Sequence, residues 1–205
     1  MPRDRASRPE AKPLRLFVAI DLPEDVLALV EDGVAPLRER LPRARWVTTR
    51  NQHVTLKFLG TTWPRLVDTV VQRVGEVAVT HVPFETRVAE LGAFPSARRA
   101  RVLWIGLEDP AGRLAAIATD LDQRLAEDFE PEKRAFTPHL TVARFDPPVR
   151  LEDDLEEIGV ESRPFGVEWL VVYRSQLQRP APVYEPIATF PLGERPREGT
   201  AGPGA

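Results

Sequence analysis

Apolar positions along the chain form short runs and alternating stretches that predict strands, separated by longer segments with helical periodicity. Strands are predicted at 14–20, 45–48, 53–59, 82–91, 102–107, 137–145, 164–173 and 184–190, and helices at about 23–40, 64–79 and 110–129, with at most a short helix at 153–158. Asp21 precedes the first helix and is expected to cap it. Because several strands follow one another through short connections, the pattern predicts an α+β fold with largely antiparallel sheets, not a doubly wound parallel sheet.

The two ends of the chain differ from the segment between them. Residues 1–12 are rich in charge and proline, and residues 193–205 have no apolar periodicity. Both are therefore predicted to be disordered tails. The remaining residues, 13–192, are predicted to form a single domain, since a chain of 205 residues needs no second one.

Composition excludes several classes of site. The chain has no cysteine, so disulfides, thiolate metal sites, iron–sulfur clusters and a cysteine nucleophile are excluded. A net charge of −3 argues against a protein that coats nucleic acid with its whole surface, but it leaves room for a local basic groove. No segment reaches the roughly 18 apolar residues of a membrane span, and the N-terminus has no apolar signal segment. We expect a cytoplasmic protein without a membrane partner.

Two of the three histidines occur in nearly the same local sequence. His53-Val54-Thr55-Leu56 and His139-Leu140-Thr141-Val142 are both apolar strand segments that carry His-x-Thr. Side chains alternate between the faces of a strand, so the histidine and threonine of each repeat share one face. Val54, Leu56 and Phe58 are expected on the opposite face of the first repeat, towards the core. Two such strands side by side would direct two imidazoles and two hydroxyls into one cleft.

Such a set suits the opening of a cyclic phosphodiester. The reaction needs a base for water, an acid for the departing ribose oxygen and donors for the phosphoryl oxygens. A single His-x-Thr is usually structural, and two histidines can also be half of a metal site, but no cysteine or suitably spaced carboxylate accompanies either repeat. His81 lacks the threonine and is predicted to be structural.

The repeats and their flanks resemble the two-histidine phosphoesterase superfamily. They are most similar to its bacterial and archaeal RNA 2',3'-cyclic phosphodiesterase branch, formerly described as 2'-5' RNA ligases. The supporting stretches are Arg15–Ile20, Trp46-Val47, His53–Gly60, Gly92–Pro95, Arg101–Trp104, Phe136–Arg144, Ser175, Leu177, Tyr184 and Phe190–Leu192. The chain departs from the family pattern at Ala181-Pro182 and at Thr49–Gln52, which puts the geometry of those loops in doubt.

The resemblance implies two pseudo-symmetric lobes with a central cleft and one His-x-Thr strand in each lobe. It implies hydrolysis of a 2',3'-cyclic phosphate to a 2'-phosphate, in RNA processing, without metal or cofactor. By residue match, His53 and His139 are the catalytic pair, and Thr55 and Thr141 bind the phosphate. We expect His139 to activate water and His53 to protonate the 3'-oxygen, although the sequence leaves the reverse order open. The expected partners are RNA 3' ends or nucleotides, and the expected oligomeric state is a monomer.

Further residues are candidates for substrate contacts. Arg144 matches a family arginine that neutralises phosphate charge, but on an ideal strand it falls on the face opposite Thr141, so it reaches the cleft only through a bulge or a strand end. Trp46 and Phe17 are candidates for base stacking; a place in the core is an equal alternative for Trp46 and the favoured one for Phe17, because apolar strands usually direct aromatic side chains to the core. Arg98, Arg99 and Arg101 form either a basic rim or a solvated hairpin loop.

Two other functions remain open at this point. The same histidines suit a 2'-5' phosphodiesterase or RNA ligase acting on linear bonds. A cleft that only binds RNA ends is the alternative outside enzymes, although pure binding has little use for a matched acid and base.

Overall fold

The computed structural model describes residues 12–179 and 181–193. Ten strands and four α-helices occur in this part of the chain, and several strands follow one another without a helix between them. The strands are β1 (Leu14–Ile20), β2 (Arg45–Trp46), β3 (Val54–Thr62), β4 (Phe84–Thr86), β5 (Val88–Phe94), β6 (Ala100–Leu107), β7 (His139–Val149), β8 (Phe165–Val167), β9 (Trp169–Gln176) and β10 (Val183–Pro191). The helices are α1 (Glu24–Arg40), α2 (Val67–Ala78), α3 (Arg113–Leu125) and α4 (Glu152–Glu157).

Eight of these strands form one antiparallel sheet in the order β10-β9-β1-β3-β7-β6-β5, with β2 paired to β7. Strands β4 and β8 form a separate two-stranded sheet. The large sheet has two halves, because its middle strands β3 and β7 pair only at Val54 and Leu140. Further along the same edge of β7, β2 replaces β3 as the partner. The two predicted lobes are therefore the halves β10-β9-β1-β3 and β2-β7-β6-β5, and the α+β fold class is confirmed.

Helices and the apolar sheet face enclose the core. Helix α2 packs against α3 and against strands β9 and β10, while α3 also packs against β3. Helices α1, α2 and α3 each bury one apolar stripe, for example Val70, Val74 and Val77 of α2. Residues 16–20 of β1 are buried on both faces of the sheet, which explains why this strand is a continuous apolar run in the sequence.

The sequence located most of these elements within a few residues, and two local predictions differ from the structure. Gly92, Ala93 and Phe94 belong to strand β5 and not to the loop after it. Pro23 occupies the N-cap position of α1, and the carboxylate of Asp21 instead accepts a hydrogen bond of 2.7 Å from the Tyr173 hydroxyl. Of the predicted tails, residues 1–11 and 194–205 lie outside the described residues.

None of the helices described here is long and apolar enough to cross a membrane.

Candidate active site

A cavity of about 410 Å³ opens at the junction of the two half-sheets, and both histidine repeats line it. His53 directly precedes β3, and His139 is the first residue of β7. Val54 pairs with Leu140 in antiparallel register, so His53 and His139, which directly precede them, lie close together on the same side of the sheet. Thr55 and Thr141 line the same cavity. The structure thus brings together all four residues of the two repeats.

Each repeat contains a β-bulge at the fourth position of its motif. On β3, Ala19 pairs with Thr55 and Val18 with Lys57, which leaves Leu56 as the extra residue. On β7, Trp104 pairs with Thr141 and Leu103 with Ala143, which leaves Val142 as the extra residue. A bulge lets two consecutive side chains face the same side of the sheet. Leu56 and Lys57 are accordingly both buried, as are Val142 and Ala143.

The bulges change which face of the sheet the residues directly after them occupy. The sequence analysis expected Arg144 to reach the cleft only through a bulge or a strand end. The bulge at Val142 shifts the alternation of side chains by one residue, and Arg144 lines the cavity. Phe58 also lines the cavity, so the expectation that it faces the core with Val54 and Leu56 was wrong. Phe58 is 62% exposed. Phe58 and Arg144 occupy the same position of the repeat, five residues after each histidine.

His139 is held by a backbone hydrogen bond and by two aromatic rings. Its Nδ1 lies 2.7 Å from the Thr137 carbonyl oxygen, an acceptor that requires Nδ1–H as the donor and leaves Nε2 for the cleft. Trp104 and Phe94 pack edge-on against the imidazole, with ring centroids 6.0 and 5.2 Å away. The Trp104 ring covers Gly92 so closely that an added Cβ would lie 2.1 Å from it, so only glycine fits there.

His53 lies in a similar aromatic setting built from different strands. Phe17 of β1 stacks on its imidazole with centroids 4.7 Å apart, and Tyr184 of β10 packs edge-on at 5.1 Å. Tyr173 of β9 in turn stacks on Phe17 at 5.2 Å and donates its hydroxyl to Asp21. These contacts fix the plane of the imidazole at the floor of the cavity.

Burial suppresses protonation of both histidines. Loss of hydration lowers the pKa of His53 to about 4, an effect that a backbone hydrogen bond to Asn51 partly offsets and the charge of Arg144 reinforces. Burial is also the main cause that lowers the pKa of His139, with Arg144 again acting in the same direction. Both rings are therefore neutral in the free protein at neutral pH, and an anion between them would raise both pKa values.

The cavity lining is positively charged. Three arginines contribute to it, Arg15, Arg45 and Arg144, and its described residues include no aspartate or glutamate. Arg144 pairs in register with Arg45 of β2, so the two guanidinium groups start from neighbouring backbone positions. Such a cavity suits an anion, and guanidinium groups suit phosphate oxygens in particular.

The two sequence candidates for base stacking differ in the structure. Phe17 is only 3% exposed and packs on His53, so it offers no free face to a base and takes the place in the core that the sequence favoured for it. Trp46 is half-buried, lines the cavity and donates its Nε1–H to the Leu41 carbonyl at 3.3 Å. The Arg38 guanidinium lies 5.1 Å from the centre of its ring. Base stacking by Trp46 stays a prediction.

The sequence did not assign several residues that line the cavity. Arg15 and Tyr184 were part of the family resemblance but carried no role, and Arg45 was predicted only as part of a brief strand. Asn51 fixes the start of β3 through a 2.9 Å hydrogen bond to the Pro182 carbonyl, which no sequence signal indicated. Conversely, Arg98 and Arg101 do not line the cavity and instead pair with Glu152 and Asp146. His81 lies 2.7 Å from Asp120, away from the cavity.

Curated proteins and solved structures are similar to this chain over most of its length. The RNA 2',3'-cyclic phosphodiesterase of Methanothermobacter thermautotrophicus is 31% identical over 189 residues, which cover 87% of this chain and 99% of that protein. The protein of the same name from Geobacillus stearothermophilus is 30% identical over 92% of this chain, which spans only 60% of that relative. The crystal structure of TT0787 from Thermus thermophilus has a TM-score of 0.72 at 27% identity, with 88% of this chain and 98% of that chain covered.

The resemblance seen in the sequence is confirmed by these relatives and by a family profile. The profile, described as 2'-5' RNA ligase superfamily, matches residues 23–179, which is well over half of the chain. Since several curated relatives carry the name of a hydrolase, the family is enzymatic. This chain belongs to the 2'-5' RNA ligase superfamily and is an enzyme.

Proposed function

We propose that this enzyme hydrolyses a 2',3'-cyclic phosphate, at an RNA 3' end or on a nucleotide, to a 2'-phosphate. His53 and His139 act as its acid and base, and no metal takes part. The observation that carries the proposal is the convergence of two imidazoles and two threonine hydroxyls in one arginine-lined cavity. The names of the curated relatives support the same reaction.

In this reaction one imidazole accepts a proton from water as the water oxygen attacks phosphorus. The other donates a proton to the ribose 3'-oxygen as the P–O3' bond breaks, so the products are a 2'-phosphomonoester and a free 3'-hydroxyl. One histidine must therefore be neutral and the other protonated when the substrate is bound. The negative charge of the bound phosphodiester favours that state, because it raises the pKa of both histidines.

Thr55, Thr141 and Arg144 line the cavity. In the proposed reaction the two threonines donate hydrogen bonds to the non-bridging phosphoryl oxygens, and Arg144 balances their charge. Donors fixed in advance stabilise the charge that develops on these oxygens in the transition state. The hydrogen bond between His139 Nδ1 and the Thr137 carbonyl also prepares the site in advance, since it holds the imidazole in one tautomer and one orientation.

The donor set around the cavity supports a reaction without metal. Its two histidines have no carboxylate beside them among the described lining residues, and no group of three histidine, aspartate or glutamate side chains suited to a metal occurs elsewhere in the described chain. The arginines and histidines take over the charge balance that a metal provides in other phosphoesterases.

The test is incubation of the purified protein, in EDTA, with a short RNA that ends in a 2',3'-cyclic phosphate, followed by phosphorus NMR of the product. We expect a 2'-phosphate, and we expect turnover to be lost in His53→Ala and in His139→Ala. His81→Ala is the matched control and should retain activity, because His81 lies outside the cavity.

Three results would contradict the proposal. Loss of activity in EDTA would contradict the metal-free reaction, and a 3'-phosphate product would contradict the direction of ring opening. If only a linear 2'-5' linkage is cleaved or formed, the same histidines serve the ligase chemistry instead. Tight binding of the RNA with no turnover would indicate a binding protein.

A further inference from the structure

Three arginines line the cavity, and one of them is set apart from the other two. Arg144 and Arg45 are partners in register on β7 and β2, in the second half-sheet. Arg15 lies on β1, in the first half-sheet, and pairs with Thr61 of β3. Of the three guanidinium charges, only that of Arg144 contributes to the lowered pKa of both histidines. Arg15 is therefore a second cationic point of the cavity, further from the reacting groups.

The register of β1 gives the separation between Arg15 and the reacting groups. Ala19 pairs with Thr55, which lines the cavity together with the histidines, and Arg15 lies four residues earlier on the same strand. Since a strand rises about 3.3 Å per residue, the two backbone positions are about 13 Å apart. Leu16 and Val18 point into the core from the other face of β1. Arg15 thus faces the same cavity as the histidines, at the distance of a neighbouring group of the substrate.

The surroundings of Arg15 leave its charge available to a ligand. Its side chain is exposed, and no carboxylate of the residues that the structure describes lies within ion-pair distance of it. On the neighbouring strand, Arg174 instead forms an ion pair, with its Nη1 3.7 Å from Oε2 of Glu185. Ser175 of β9 also lines the cavity, and because Arg174 pairs with Leu16, Ser175 lies across from Arg15. A guanidinium and a hydroxyl on adjacent strands are donors that suit phosphate oxygens.

The charge of the reacting group is too small to account for all three arginines. A 2',3'-cyclic phosphate carries one negative charge, which Arg144 and Arg45 already exceed, and the described lining contains no carboxylate to offset Arg15. We propose that Arg15 and Ser175 bind a second phosphate, the phosphodiester on the 5' side of the terminal nucleotide. This inference rests on the proposed function and narrows its substrate class: the enzyme prefers an RNA 3' end to a nucleoside cyclic phosphate.

The test compares substrates with and without the second phosphate. Adenosine 2',3'-cyclic phosphate lacks it, the dinucleotide ApA 2',3'-cyclic phosphate carries it as a diester, and 5'-phosphoadenosine 2',3'-cyclic phosphate carries it as a monoester. We expect the wild type to have a KM about tenfold lower for the last two, with little change in kcat, because this phosphate does not react. Arg15→Gln should remove the difference without changing KM for the adenosine compound. Arg15→Lys should retain part of it, and Arg174→Gln, outside the cavity, all of it.

Equal KM values for all three substrates in the wild type, or an equal rise for all three in Arg15→Gln, would overturn the inference while leaving the proposed reaction intact. A gain confined to the 5'-phosphorylated nucleotide would overturn the assignment to an RNA chain.

A second measurement does not depend on turnover. In calorimetry, adenosine 2',5'-bisphosphate should bind the wild type about tenfold more tightly than adenosine 2'-phosphate, and Arg15→Gln should abolish that difference. Equal binding of the two compounds by the wild type would refute the second phosphate site even where the reaction is confirmed. Tighter binding of the bisphosphate without turnover of any cyclic phosphate would support the site and contradict the proposed function.

Discussion

At the scale of single residues, the environment of the two histidines determines when the enzyme is active. The aromatic rings around His53 and His139 remove water from both imidazoles, and the nearby Arg144 adds repulsion. Both effects disfavour the imidazolium form. Catalysis nonetheless needs one protonated histidine, so the free enzyme holds its active protonation state only in mildly acidic solution.

This predicts the pH profile of kcat/KM, which reports the free enzyme. The pKa of His53 is about 4 and that of His139 is below 6.5, so the singly protonated pair is most populated between these values. The cyclic phosphodiester does not titrate in this range. We expect a bell-shaped profile with its optimum between pH 4 and 6.5, and a kcat optimum at higher pH because bound phosphate raises both pKa values. A kcat/KM optimum above pH 7, or a monotonic profile, would contradict the lowered pKa values.

At the scale of secondary-structure elements, the two His-x-Thr strands share the same bulge and differ in the buried residue that directly follows it. This residue is Ala143 on β7, after the bulge at Val142, and Lys57 on β3, after the bulge at Leu56. The Lys57 side chain is 1% exposed, forms an ion pair with Asp122 of α3 and donates a 2.8 Å hydrogen bond to the Glu130 carbonyl. Asp122 also accepts from the Glu132 amide at 3.0 Å. Lys57 thus ties the bulge of β3 to the segment that leads into β7.

We predict that breaking this pair destabilises the fold. Asp122→Asn should lower the free energy of unfolding by about 3 kcal/mol, the lower end for a broken buried pair, because only the more distant Glu132, at 4.0 Å, then balances the buried Lys57 charge. Lys57→Met should lower the free energy of unfolding by less, since the Asp122 carboxylate that it leaves unpaired is partly exposed and keeps some hydration. Urea unfolding monitored by circular dichroism measures both losses. Lys133→Met is the control, because Lys133 is exposed, and an equal loss in it would contradict a specific role for the buried pair.

At the scale of the whole molecule, the net charge of the chain and the charge of the cleft have opposite signs. The chain carries a net charge of −3, while the described cavity lining carries three arginines and no carboxylate. Charge of one sign inside a cleft attracts an oppositely charged substrate, and the attraction weakens as salt shortens the screening length. The net charge therefore does not predict how this enzyme responds to salt.

We predict that kcat/KM for the cyclic phosphate falls as NaCl is raised from about 50 to about 500 mM, as for a basic protein. Arg144→Gln should lower kcat/KM by about tenfold or more at low salt and flatten the salt dependence, because a charge-assisted contact is lost. Arg124→Gln removes the same charge outside the cavity, from a residue paired with Glu76, and should change neither. A rise of kcat/KM with salt would contradict this prediction, because it would show that the negative net charge of the chain affects the substrate more than the positive charge of the cleft does.

Local patterns in the sequence were sufficient for the elements and for the core of the site. The apolar run at Leu14–Ile20 and the His-x-Thr repeats predicted β1, β3 and β7 within a few residues of their ends. Alternation also predicted that each histidine shares a face with its threonine. These features depend only on backbone geometry over a few residues, which is why they can be predicted without tertiary contacts.

The sequence by itself thus determined the α+β fold class, the two repeats and the chemistry they suit. Only the tertiary structure decided which side chains surround that chemistry. The bulges at Leu56 and Val142 arise from pairing with β1 and β6, distant segments whose register the local pattern does not contain, and they bring Phe58 and Arg144 into the cleft. The burial of Phe17 against His53 likewise depends on Tyr173 of β9 and Tyr184 of β10, whose rings pack against Phe17. Periodicity records the face of a residue within its own strand, whereas register and burial depend on partners elsewhere in the chain.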